Sequence, residues 1–152
     1  MKAGVLTLLV GQAFACLAGS PQGGSLQRLE ATVDAMGTSR TLWDYRDFIH
    51  RSKAEFAVAK HTYVSTRSGW FSDRTECYLA ASRPALVQDT GWTAHLPSGD
   101  GLLAFSSFDE AVAGIDAINS NYARHARRAA EIAHEHFDAA RVLTHLLEEV
   151  SS

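Results

Sequence analysis

The chain has 152 residues, of which 46% are hydrophobic and 20% charged, with a formal net charge of −3. This is one domain's worth of globular sequence, able to bury about 68–70% of the surface it exposes when unfolded, and too apolar for a disordered segment. The acidic balance excludes a general nucleic-acid-binding field, and the two cysteines, Cys16 and Cys77, lack the CxxC spacing of a zinc site or the density of a disulfide framework, which fits a reducing, cytoplasmic setting.

Residues 1–40 form a first segment of uncertain assignment. MKAGVLTLLVGQAFACLAGS carries one Lys and an interrupted apolar run, and two readings stand: a signal-like stretch for export, or a strand and loop of the domain. The run is too short and too broken to span a bilayer, so no transmembrane segment is expected. SPQGG is a turn, and Leu26, Leu29, Val33 and Met36 recur at helical spacing over residues 25–36, with Gly37 as a stop.

Residues 41–152 make up the main domain. Leu42, Tyr45, Phe48 and Ile49 fall on one face of an amphipathic helix, opposite Asp44, Arg46, Asp47 and Arg51. Phe56, Val58 and Ala59 lead into the β-branched run 61–64, whose state the pattern leaves open. Residues 66–92, TRSGWFSDRTECYLAASRPALVQDTGW, are the centre of the chain: a basic Gly turn, a helical apolar pattern ending at Ser82-Arg83-Pro84, a buried strand Ala85-Leu86-Val87 and a polar turn Gln88-Asp89-Thr90-Gly91. This succession is how an α/β sheet presents ligand groups at the carboxyl ends of its strands. Cys77 and Tyr78 are expected in the core of that helix.

Leu102-Leu103-Ala104-Phe105 is a second buried strand. Ser107 and Glu110 form a capping box that launches a helix with Val112, Ile115 and Ile118 facing the core. Asn121 caps a helix running to about residue 134, with Arg124, Arg127 and Arg128 outward. Asp138 caps a last one, whose buried stripe is expected to be Val142, Leu143, Leu146, Leu147 and Val150. His134-Glu135-His136 is no metal site: residues two apart on a helix do not share a face, and Asp138 stands where HExxH requires its second His.

Taken together, WFSDRTECYLAASRPALVQDTGW, GLLAFSSFDEAVAGIDAI and HFDAARVLTHLLEEV resemble the C-terminal, nucleotide-sugar-binding half of a bacterial GT-B-type glycosyltransferase, in particular glycosyltransferase-like proteins with a YLAxxRPxxVQDTG segment. The resemblance covers about residues 45–150. It implies an α/β fold, the Rossmann-like half of a GT-B architecture with a short parallel sheet, flanking helices and a helical C-terminal tail. The implied activity is transfer of a sugar from a nucleotide-diphosphate sugar, a substrate rather than a cofactor, to an acceptor bound by an N-terminal half that the resemblance does not reach.

In such folds the donor diphosphate lies at loops and helix N-termini. The resemblance therefore implies donor binding by Arg67, Ser68 and Gly69, by Arg74 and Lys60 as phosphate-pairing cations, by Asp73 or else Glu76 as a hydroxyl acceptor, and by Asp89, Thr90 and Gly91 near the sugar. Trp70 and Trp92 flank this region. Two Glu residues separated by seven others mark many retaining members. Only Glu76 lies in that helix, and Cys77 stands where the second Glu would be read, so no catalytic residue is assigned. The reading from a different class is a non-catalytic small α/β binding or regulatory module, exported if the first segment is a signal.

Overall fold

A computed structural model describes residues 5–10 and 13–18 as strands and residues 38–151 in full. The expected helix over residues 25–36 lies outside the described residues. β1 (Val5–Val10) and β2 (Ala13–Ala18) pair as an antiparallel hairpin, and β1 also pairs in parallel with β3 (Glu55–Ala57). β3, β4 (Ala85–Gln88) and β5 (Leu102–Phe105) form a parallel ladder, which gives a five-stranded sheet in the order β2-β1-β3-β4-β5. The protein is therefore α/β.

β4 lies between two partners and reads Ala-Leu-Val because both of its faces are covered. Leu86 joins Phe56, Leu103 and Phe105 on one face, under α4 (Phe108–Ser120), with Phe56 and Phe105 stacked at 5.0 Å. Val87 joins Ala57, Ala85 and Leu102 on the other, under α3 (Asp73–Ala80) and α5 (Tyr122–His136). The two-residue period of the pleat makes this split. Trp92, at the start of the short 3-10 turn Trp92–Ala94, fills the second face, and Phe71 meets its edge at 5.6 Å. α1 (Leu42–Arg51) is capped by Thr41, whose hydroxyl accepts from Asp44 N at 3.1 Å, and it packs Phe48 and Ile49 against Tyr78 of α3.

The structure decides one element that the sequence leaves open and differs from the sequence expectations at three places. Residues 61–64 are helical, in a short α2 (His61–Ser65), although their β-branched content favours strand. α4 buries Ala111, Gly114 and Ile118 and leaves Val112 exposed, because the sheet sets the helix rotation so that Gly114 meets Leu86. Cys77 is exposed on α3 and only Tyr78 is buried. The stripe on α6 (Ala139–Ser151) buries nothing among the described residues: Val142, Leu143, Leu146, Leu147 and Val150 are 49–78% exposed. Asp138 does cap that helix, its Oδ1 accepting from Arg141 N at 3.1 Å.

Candidate functional site

Two loops meet at the carboxyl end of β4. α2 ends in a Schellman motif, with Ser68 N donating to Tyr63 O and Arg67 N to Val64 O, and the motif puts Arg67 in the left-handed region at φ 47°. Gly69 N then donates to Thr90 O at 2.9 Å, and Thr90 Oγ1 donates back to Trp70 O at 2.7 Å. Gly91, at φ 100°, lies so close to the first loop that a Cβ there would sit 3.0 Å from Arg67 O. Asp89 Oδ1 accepts from Gly91 N at 2.8 Å, and Thr93 Oγ1 reaches both Asp89 oxygens at 3.2 Å. Arg67 Nη2 lies 3.8 Å from Asp89 Oδ2 and is otherwise open to solvent.

Arg67, Ser68, Gly69, Asp89, Thr90 and Gly91 thus come together, with their roles sorted. Thr90 is fully buried and its hydroxyl is committed to the loop junction, so it is not free to hold a sugar. Asp89 caps its own turn and offers one edge to Arg67. Trp92 belongs to the core, while Trp70 stacks on Tyr63 at 5.0 Å on the outer side of the loop.

Three residues beyond Trp70, α3 begins. Ser72 is its N-cap, and Arg74 N donates both to Ser72 Oγ at 3.3 Å and to Asp73 Oδ1 at 2.8 Å. No carbonyl or side chain among the described residues accepts from the backbone N–H groups of Phe71, Ser72 or Asp73. Asp73 is exposed beside them. Lys60, the N-cap position of α2, is exposed with no side-chain capping bond.

Arg74 does not point freely outward. Its Nε donates to Oε1 of Glu55 at 2.7 Å, and Glu55, the first residue of β3, is wholly buried. Burial raises the Glu55 carboxyl above its ordinary value, and Arg74 and the Thr75 hydroxyl pull against that rise. Neither Glu55 Oε2 nor Thr75 Oγ1 reaches hydrogen-bond geometry with any described group. Tyr45 of α1 and Cys77 of α3 sense the same charge, and burial raises both. Glu76, also raised by burial and by Asp73, stays at the edge.

Glu55 is the residue that the sequence reading missed. An acidic residue preceding Phe56 at a strand start carries no local signal, and only the parallel register lays it under the first turn of α3. Gln88 ends β4 rather than opening the turn: its side-chain oxygen accepts from Ala59 N at 3.1 Å and its carbonyl from Trp92 Nε1 at 3.2 Å.

Elsewhere, His125 Nδ1 accepts from Gly101 N at 3.1 Å, a structural use that fixes α5 against the preceding loop. An apolar groove of about 360 Å³ between α1 and α3 is lined by Leu42, Trp43, Tyr45, Ile49, Cys77 and Ala80, with Arg46 4.7 Å over the Trp43 ring. Among the described residues no group of three or more His, Cys, Asp or Glu is placed to hold a metal, and no helix is long and apolar enough to cross a membrane. Compared with protein-family models, with curated proteins and with solved structures, the chain matches none.

Proposed function

We propose that this chain is the donor-binding part of a glycosyltransferase, which holds a nucleotide-diphosphate sugar for transfer to an acceptor presented by a separate N-terminal domain. The observation that carries the reading is the run of N–H groups at Phe71, Ser72 and Asp73 that have no acceptor among the described residues, flanked by Arg67 and Arg74, at the entrance to α3. Successive N–H groups at a helix start favour an anion, and guanidinium groups grip phosphate oxygens in pairs. Arg67 strengthens the reading. A non-glycine residue held at positive φ costs about 1–2 kcal/mol, and its exposed guanidinium contributes little to folding in return. Ser82 carries the same strain at the end of α3, so what sets Arg67 apart is its exposed guanidinium beside the loop junction.

The chemistry of this part is electrostatic. Fixed N–H dipoles and cations stabilise the negative charge that develops on the leaving nucleoside diphosphate as the glycosidic bond breaks. The attacking hydroxyl belongs to the acceptor, and no residue of this chain is assigned as its base. Calorimetric and thermal-shift titration of the full chain with UDP, GDP, ADP and dTDP tests the proposal. One nucleotide should bind saturably, and Arg67→Ala should weaken it by about tenfold, the scale of one charge-assisted hydrogen bond. Absence of binding by all four at millimolar concentration would overturn it. The second reading, a non-catalytic binding module, is favoured by the exposed apolar stripe of α6 and the groove beside Trp43, and that outcome would leave it standing.

A further inference from the structure

We infer that Glu55 is a positioning residue for Arg74, holding the guanidinium so that its terminal edge is presented to a diphosphate. The inference rests on the donor-binding reading and names the device that sets one of its cations. An arginine and a carboxylate left to themselves pair side-on through two parallel N–H···O bonds that use both oxygens. Here, among the described residues, Nε alone is engaged, at 2.7 Å, and Glu55 Oε2 stays buried with no group in hydrogen-bond geometry. The pair is therefore held at a single point, Nε to Oε1. Among the described residues neither Nη1 nor Nη2 takes a partner, and the side chain is 31% exposed while Glu55 is 0% exposed.

The result is a buried anchor at Nε and a partly exposed guanidinium, in the helical turn that follows the N–H groups of Phe71, Ser72 and Asp73. A long cation that closes on an anion gives up rotamer freedom, and one already fixed at Nε gives up less.

Charge and position predict opposite signs, which makes the inference testable. Removing a negative charge beside an anion site tightens anion binding by Coulomb attraction alone, whereas loss of an anchor weakens it. Calorimetry on the full chain with inorganic pyrophosphate and with UDP would compare Glu55→Gln, Arg74→Ala and the double variant, each well below its melting temperature. The expected result is a Kd for pyrophosphate raised about tenfold by Glu55→Gln, the scale at which one group acts through another, with no further change when Arg74 is already Ala. Unchanged or tighter binding, or an equal loss in the Arg74→Ala background, would overturn the role. If Glu55→Gln does not fold, Arg74→Lys serves instead: a point charge can satisfy Glu55 or the anion but not both, so affinity should fall, and full affinity would overturn the inference. Binding that is lost in Arg67→Ala but unmoved by Glu55→Gln leaves the donor reading intact and removes this one. If the unaltered chain binds neither pyrophosphate nor UDP, both fall.

Discussion

Arg67 and Ser82 occupy the same position in the same motif, one at the end of α2 and one at the end of α3. Ser82 sits at φ 57°, with Ser82 N donating to Leu79 O and Arg83 N to Tyr78 O. Glycine is the residue this position favours. Ser82→Gly should raise stability by about 0.5–1 kcal/mol, or about 1–4 °C in melting temperature for a chain of this size. A thermal melt with no rise would show that Ser82 bears no strain. Glu55 gives the residue-scale pH prediction. A carboxyl raised on folding above its ordinary 4.5 binds its proton more tightly folded than unfolded. Its contribution to stability is full below the unfolded value and is lost as pH rises through the folded one. Melts over that window should show the native chain losing stability, relative to Glu55→Gln, as pH rises from about 4.5. Parallel curves would show Glu55 ionised throughout. At this scale the turn chemistry of Gly69 and Gly91 was legible, because positive φ selects glycine, whereas the tie from Glu55 to Arg74 was not, since it joins residues with no local pattern in common.

Helix ends were the most readable elements. Ser107 Oγ accepts from Glu110 N at 3.3 Å, while Glu110 reaches back to Ser106 N at 2.6 Å, one residue earlier than a standard capping box. Asn121 and Asp138 cap as their side chains dictate. The rotation of α4 was less readable: Ala111 and Gly114 look neutral in sequence, yet they face Leu86 because the helix needs small residues to approach the sheet. Gly101 does the same for α5. A Cβ there would meet Ala129 N at 2.5 Å, in a backbone at φ 83°. Gly101→Ala should therefore destabilise the protein by about 2 kcal/mol or more, since backbone rather than a flexible side chain would have to yield. Denaturant unfolding measures this, and a loss below about 0.5 kcal/mol, the range of ordinary surface changes, would show that α5 moves off the loop freely.

Across the whole molecule, stability is layered. β4, paired on both edges and covered on both faces, should hold the slowest-exchanging amides, and α6, with no buried side chain among the described residues, the fastest of the helices. Native-state hydrogen exchange tests the order, and protection in α6 equal to that in β4 would show that its apolar stripe is covered. The sequence by itself determined the α/β class, the strands β4 and β5, the helices that follow them and the turns between, because each follows from local periodicity, capping and the conformational freedom of glycine. Only the tertiary structure decided that residues 61–64 are helical, that α6 leaves its stripe exposed, and that a buried carboxylate on β3 holds Arg74. Those outcomes depend on which surfaces meet in space, and a period of 3.6 or 2 states that a face exists without stating what covers it.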